Sequence, residues 1–268
     1  MNKSLENKYS ILVKYLKSLT KVIIAYSGGV DSTFLLYSAV SALGNKNVLA
    51  VIAVSETYTK DELKSALKFC KQNNIQYKII KTNELNNPFF KKNPPERCYF
   101  CKKELFSKLL NIAKKQNIKY VADGTNKDDS NDFRPGEKAK KELGIISPLA
   151  LYKFTKDNIR KLSKVFMLPT FNKPSQACLS SRFPYGTEIT IKKIKQIEYS
   201  ESYLKKLGLS TIRVRNHNPI ARIECNLKDF KKIISNKSKV INYFKKFGFK
   251  YITLDLEGFR SGSMNEVL

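Results

Sequence analysis

Two short strings in this sequence combine residue types that can do chemistry with a spacing that suits it. The first is Ser27-Gly28-Gly29-Val30-Asp31-Ser32, set between an apolar run and a helical pattern. Its two glycines let the backbone fold tightly with N–H groups turned inward, and a helix starting at once adds the positive end of its dipole. Ser27, Ser32 and Thr33 supply hydroxyls, so the string can cradle phosphate. It lacks the G-x-x-x-x-G-K-[ST] pattern of the usual nucleotide-hydrolysing loop. Asp31 would repel phosphate unless a cation lay between them, and its simplest role is to hold Mg²⁺. The plainer alternative is a glycine turn that merely opens a helix. The second string is Cys98-x-x-Cys101, two of five cysteines with Cys70, Cys178 and Cys225. An odd count in a chain without secretory signals argues against a disulfide framework. Metal binding, redox chemistry or accident remain for the pair. Cys178 lies between Pro174 and Pro184 and near Arg182, a setting that favours the reactive thiolate. Cys70 and Cys225, on a helix face and a strand, read as small buried apolar residues.

These residues need elements to hold them. An amphipathic helix is expected over about Leu5 to Leu16, then a buried strand over 21–27 and a helix from Val30 to Leu43 closed by Gly44. Strands follow at 47–55, 75–82 and 118–124, with helices at Lys60–Gln72 and Tyr99–Gln116 between them, and a short strand near Ile145. The alternation predicts an α/β fold, a parallel sheet with helices on both faces. Beyond Met167 the prolines at 169, 174 and 184 mark a long loop. A helix over Ile191–Leu207, paired strands at 211–217 and 220–226, a helical stretch at 227–247 and a strand at 250–256 make a small C-terminal α+β unit. The boundary is expected near Gly186, giving domains 1–186 and 187–268.

Composition narrows the class. The 268 residues are 42% hydrophobic and 11% aromatic, which excludes disordered and collagen-like chains. Apolar runs such as Val48 to Val54 are far short of the ~20 residues of a membrane span, and the N-terminal stretch has no signal-peptide core. A cytoplasmic protein is expected. The formal net charge is +27, from 50 Lys+Arg against 23 Asp+Glu. Only eight of the 50 are Arg, and the lysines are spread along the chain, a composition that solvates a surface. The arginines are the sharper signal, because a guanidinium fork grips phosphate and carboxylate. Arg213 and Arg215, two apart on a predicted strand, share one side and could hold a nucleotide phosphate; the alternative is a solvated strand face.

The Ser27–Ser32 loop, directly after a buried strand, resembles the PP-loop of the ATP pyrophosphatase superfamily, which holds the β,γ-pyrophosphate of ATP while an acceptor oxygen attacks the α-phosphorus. Further strings narrow the match: Glu96 to Lys102; Asp123-Gly124-Thr125-Asn126 with Asp128-Asp129 and Arg134-Pro135-Gly136; Lys173 to Arg182 with Pro184 to Thr187; Arg213-Val214-Arg215; Ala221 to Glu224; and Leu254 to Ser263. Together, and in order over nearly the whole chain, they resemble the LarE family of sulfur transferases. The resemblance implies an adenine nucleotide alpha hydrolase-like domain and an enzyme that adenylates a carboxylate of pyridinium-3,5-biscarboxylic acid mononucleotide. A thiocarboxylate then replaces the carboxylate, a step toward the nickel-pincer nucleotide. Some members give up the sulfur of a single cysteine; others carry three cysteines and a [4Fe–4S] cluster whose fourth iron holds an extra sulfide. The C-x-x-C together with Cys178 matches the second type, with Cys98, Cys101 and Cys178 as ligands. Structural zinc, with His217, Cys225 or Cys70 as fourth ligand, and a redox disulfide are the competing readings.

The resemblance further implies ATP and Mg²⁺ held by Ser27, Gly28, Gly29, Val30, Asp31 and Ser32; Asp123, Asn126 and Asp128, after the end of the fourth strand where open α/β sheets place ligands, could bind ribose or metal. Ser181, Arg182, Arg213 and Arg215 are the implied substrate contacts, and Cys178, Asp31, Glu201 and Arg213 the catalytic set. Asp255 and Arg260 are further candidates. The expected partners are a small nucleotide substrate, sulfide or another sulfur donor, and further copies of the chain in a homo-oligomer. The runner-up is a tRNA thiolase of the same superfamily, which the charge would suit; no RNA-binding appendage supports it, and nucleic acid is not an expected partner. A non-catalytic cluster carrier is a third reading, opposed by the intact phosphate loop.

Overall fold

The protein is described here by a computed structural model covering residues 3–131, 135–174, 177–260 and 262–267. Arg134, Ser175, Gln176 and Ser261, which belong to the strings above, lie outside the described residues. In chain order the regular elements are α1 (Lys3–Ser18), β1 (Val22–Ala25), α2 (Val30–Leu43), β2 (Val48–Val54), α3 (Lys60–Gln72) and β3 (Gln76–Lys81). Then come α4 (Pro88–Lys91), α5 (Arg97–Lys115), β4 (Tyr120–Ala122), α6 (Gly136–Glu142), α7 (Pro148–Leu151) and α8 (Lys156–Val165). The remainder is α9 (Ile191–Lys206), β5 (Ile212–His217), β6 (Ile220–Cys225), α10 (Phe230–Ser235), α11 (Lys237–Lys246) and β7 (Tyr251–Leu254).

The chain divides into two compact units, Met1–Glu84 with Glu96–Gln176, and Leu85–Pro95 with Ala177–Leu268. The division falls before Cys178 rather than near Gly186. Residues 177–186 join the second unit because the 85–95 excursion clasps them: Asn93 donates through Nδ2 to the carbonyls of Phe183 and Pro184, and its own carbonyl accepts from Gly186 N–H.

The first unit is built on a parallel sheet of order β3-β2-β1-β4. Alternation along β1 and β2 splits their side chains between two cores. Val22, Ile24, Val48, Ala50 and Ile52 pack with Leu12, Leu16, Phe34 and Phe69 on one face; Ile23, Leu49 and Val51 pack with Phe106 and Leu109 of α5 on the other. This is the two-faced cover that near-continuous apolar strands require. β3 is the open edge, with Tyr77 and Ile79 exposed. The strand expected near Ile145 is a single bridge from Ile146 to Ala122. Parallel strands direct all their C-terminal ends to one edge, and the loops after β1, β3 and β4 gather there.

In the second unit β5 and β6 pair antiparallel, and β7 joins β6 in parallel. One face carries Val214, Ile223 and Cys225 against Leu204 of α9, Ile233 of α10 and Phe244 of α11. The other face is polar, and the register sets Arg213 opposite Glu224 and Arg215 opposite Arg222. The helical stretch at 227–247 is two helices, parted at Asn236.

Candidate functional site

β1 ends at Ala25 and α2 begins at Val30, so residues 26–29 must turn within a few ångströms. Gly28 makes the turn with φ +72°, a conformation that L side chains rarely adopt, and a Cβ there would lie 3.2 Å from the Cβ of Ala66. Ser27 Oγ lies 3.0 Å from Ser32 Oγ, and Ser27 N–H donates to Ser32 Oγ. Tyr58 O–H donates to Ser27 O at 2.9 Å and Lys173 Nζ to Gly28 O at 2.9 Å. The loop is therefore tied on both sides, with the Ser27 hydroxyl exposed at the start of α2. Val30 is buried and serves as packing. The helix start, the hydroxyls and the nearby ammonium of Lys173 together form a place for a polyanion.

Asp31 stands in the first turn of α2. Its carboxylate pairs with Lys156 Nζ and accepts from Asn126 Nδ2 at 3.4 Å. Burial raises its pKa, an effect that the charge and hydrogen bond of Lys156 oppose and that Asp129 reinforces. Lys156 escaped the sequence reading. The cue available was the T-x-x-N capping box that starts α8 at Thr155 and fixes where its first residue lies. Among the described residues no three His, Cys, Asp or Glu side chains are grouped to hold a metal ion. A single carboxylate beside a phosphate cradle nevertheless fits Mg²⁺, which takes one or two carboxylates and completes its shell with phosphate oxygens and water.

Asp123 is turned inward. It accepts from Ser147 Oγ at 2.6 Å, from Thr125 Oγ1 at 2.7 Å and from Thr125 N–H at 3.2 Å. Gly124 presses on the start of α2, where a Cβ would stand 2.8 Å from Ser32 N. Asn126 is fully buried; its Oδ1 accepts from Asp128 N–H while Nδ2 reaches Asp31. The loop after β4 thus shapes the floor of the Asp31 site.

Cys98 and Cys101 share one face of the first turn of α5, at i and i+3. Cys98 is exposed and Cys101 half-buried; Cys101 Sγ donates to Glu84 Oε1 at 3.4 Å. Glu84 follows β3, so the pair stands at the same sheet edge as the phosphate loop. Burial raises the pKa of Glu84, against the hydrogen bonds of Ser55, Cys101 and Thr82. One thiol is exposed and the other half-buried, both in the first turn of α5. The contrast is with Cys70 and Cys225, each fully buried, whose thiols burial pushes up to about 11. His217, on β5, is half-buried, and burial with Arg222 and Arg215 lowers its pKa.

Cys178 opens a short 3₁₀ turn in the second unit and is exposed. Arg182 is not exposed beside it. Its Nη1 donates to the carbonyls of Ala177 and Cys178 and to Ser181 Oγ, while Nε and Nη2 grip both oxygens of Glu201. Glu201 also accepts from Val214 N–H, which ties the Cys178 turn to β5. Burial alone would raise the pKa of Glu201; the charge and hydrogen bonds of Arg182, with Val214 and Arg213, outweigh it and hold the carboxyl below its ordinary range.

The arginine pair separates. Arg215 is buried, forked onto Glu224 at 3.0 and 2.7 Å, with further donations to Ser181 O and Ser263 Oγ. Arg213 is half-buried over the Phe259 ring, 5.1 Å from its centre, and burial with the repulsion of Arg182 pushes its pKa down to about 10. Ser181, held by Arg182 and Arg215, remains half-exposed. Asp255 and Arg260 pair on the polar side of the small sheet, with Arg222 between Glu224 and Asp255.

The NAD synthase family model matches residues 4–127, which carry the phosphate loop and all four strands of the first sheet. Over 266 residues the chain is 42% identical to an uncharacterised protein of Synechocystis sp., covering 98% of this chain and 99% of that one. Over 265 residues it is 40% identical to the pyridinium-3,5-bisthiocarboxylic acid mononucleotide synthase of Lactiplantibacillus plantarum, covering 99% of this chain and 96% of that one. A 56-residue stretch is 39% identical to the NH₃-dependent NAD⁺ synthetase of Thermotoga maritima, 21% of this chain and 20% of that protein.

Proposed function

The chain belongs to the LarE family of pyridinium-3,5-bisthiocarboxylic acid mononucleotide synthases, and from that premise we propose that it is an ATP-dependent sulfur transferase acting on the carboxylate of a pyridinium mononucleotide. The observation that carries this reading is the sheet edge itself. A phosphate cradle and a carboxylate able to hold a cation follow β1, and a pair of exposed and half-exposed cysteines follows β3, at one edge of one sheet.

A carboxylate is a poor electrophile because its oxygen leaves badly. The acceptor carboxylate attacks the α-phosphorus of ATP, the bond to the bridging oxygen breaks, and pyrophosphate departs. Ser27, Gly29 and Ser32 hold the departing pyrophosphate, with the dipole of α2 and the ammonium groups of Lys156 and Lys173 offsetting its charge. Asp31 would hold Mg²⁺, which when bound neutralises phosphate charge. Asn126 orients Asp31 through its amide. In the acyl adenylate that results the former carboxylate oxygen belongs to AMP. A sulfur nucleophile then adds to the acyl carbon, and AMP leaves with the bonding pair. Arg213, braced on Phe259, contacts the phosphate of the mononucleotide, with Ser181 beside it. Arg182, Glu201 and Arg215 hold the Cys178 turn and β5 in register.

Cys98, Cys101 and Cys178 would hold a [4Fe–4S] cluster, which when bound supplies an iron site for exogenous sulfide. Support for this assignment is chemical: three exposed or half-exposed thiols, two of them one helical turn apart. The test joins both halves of the reaction. Anaerobically purified protein is expected to contain iron and acid-labile sulfide, and to turn over repeatedly with excess sulfide, forming AMP and pyrophosphate. Asp31→Asn is expected to abolish AMP formation while keeping the iron. Normal AMP formation by that variant would remove Asp31 from the mechanism. A single turnover per chain, with Cys178 converted to dehydroalanine, would replace the cluster with a sacrificial cysteine.

A further inference from the structure

Among the described residues Lys140 is the only lysine under one-tenth exposed, at 4%. An ammonium taken from water is costly to bury unless its protons are matched. Here Nζ donates to Thr125 Oγ1 at 2.8 Å and to Ser147 Oγ at 2.8 Å, and pairs with Glu137 Oε1 at 2.7 Å. Asp123 Oδ2 lies 3.6 Å away. Ser147 and Thr125 in turn donate to Asp123. One cation therefore gathers two segments, the loop leaving β4 and the chain leading into α7. That loop carries Gly124 against the backbone of Ser32 and Asn126 against Asp31.

We infer that Lys140 is a positioning residue for the nucleotide site: through Thr125, Ser147 and Asp123 it sets the 123–126 loop, and through that loop the placement of Asp31 and the first turn of α2. The inference rests on the assignment of that edge to ATP. A lysine suits the position for a geometric reason. Its acceptors surround a single point, which three rotatable N–H bonds can meet and a planar guanidinium cannot. A position needed for packing alone would do as well or better with an apolar side chain, since buried ion pairs contribute little net stability. Both ends of α6 abut the cysteine turn. A Cβ on Gly136 would lie 2.9 Å from Lys102 Cγ and 3.6 Å from Cys98 O, and Tyr99 O–H donates to Glu142 at 2.8 Å. One two-turn helix thus spans the loop that shapes the Asp31 site and the turn that bears Cys98.

The test measures the dissociation constant of Mg·ATP for the full chain, together with AMP formation from the mononucleotide substrate. Lys140→Met is expected to weaken Mg·ATP binding about tenfold, as loss of hydrogen bonds to a charged group would. Lys140→Arg should not restore it. Glu137→Gln keeps an amide oxygen as acceptor and touches no residue of the loop, and should leave binding within about twofold. Thr125→Val serves where Lys140→Met fails to fold, and should weaken binding in the same direction. The double variant Thr125→Val, Lys140→Met should bind no more weakly than the worse single one, because both act on one contact set. Unchanged binding in Lys140→Met, or additive losses in the double variant, would overturn the inference. Wild-type protein that binds Mg·ATP but forms no AMP would overturn the proposed reaction alone, with the binding series still judging Lys140. Wild-type protein that binds no Mg·ATP would overturn both.

Discussion

Arg182 and Glu201 show how one buried pair governs the chemistry around it. The carboxyl of Glu201 is held below its ordinary 4.5, so the folded state binds fewer protons than the unfolded chain as pH falls past that value. Its contribution is complete above 4.5 and is lost as pH falls through the lowered value. Replacing it strands Arg182 in the interior, a loss of about 3–5 kcal/mol for breaking a buried pair. Glu201→Gln is therefore expected to lower the urea midpoint strongly at neutral pH. Midpoints measured from pH 7 to pH 3 should converge with those of the wild type as the solution acidifies. A gap that stays constant over that range would mean that Glu201 acts by shape and not by charge. Asp31 has the opposite sign. Its raised pKa makes ionisation unfavourable in the fold, so its contribution weakens as pH rises from 3.8 through the raised value. Lys156 already favours the ionised carboxylate, and a bound cation would favour it further.

The loop between β4 and α6 does its work by contact with α2, and Gly124 is where the contact is tightest. A Cβ there would meet Ser32 N at 2.8 Å and Ser32 Cα at 3.0 Å. Both are backbone atoms of a helix start, so neither can swing aside. Gly124→Ala is expected to cost about 1–3 kcal/mol through overpacking and to weaken Mg·ATP binding by shifting α2 against the loop. Gly44→Ala is the matched comparison. At φ +78° with nothing within 4 Å, it strains the backbone at the far end of α2 and touches nothing. It should lose about 1–2 kcal/mol and keep its ATP affinity. Thermal melts with calorimetric titrations of both variants separate the two effects. Equal loss of affinity in both would show that α2 responds to any strain rather than to the β4 loop.

Charge acts over the entire surface. With 50 basic residues against 23 acidic ones, the chain attracts polyanions whatever its substrate. Among the described residues no helix is long and apolar enough to cross a membrane, so the charge does not flank a helical span. If the substrate is a mononucleotide, binding of tRNA should be blind to sequence and fall about 10³-fold or more between 50 and 200 mM salt, as release of many counterions requires. Filter binding across that range reads it directly. Retention at 200 mM with a thiolated nucleoside as product would transfer the assignment to a tRNA thiolase.

Much of this was legible along the chain because it depends on near neighbours. A strand, a two-glycine turn and a helix start are contiguous, so Ser27–Ser32 announces a phosphate cradle without any tertiary knowledge. The i, i+3 spacing places Cys98 and Cys101 on one helical face in the same way. The apolar runs at β1 and β2 could be read as two-faced strands because period two needs only the backbone. Partnership is different. Arg213 and Arg215 look equivalent in sequence, and the register that sets Glu224 near them makes one a buried tie and leaves the other half-exposed. Lys156 meets Asp31 across 125 residues of chain, and Lys140 is one of 42 lysines until the fold buries it under three acceptors. Which charges are taken from water, and against which partners, is set by the packing of distant segments. No periodicity in the sequence records that.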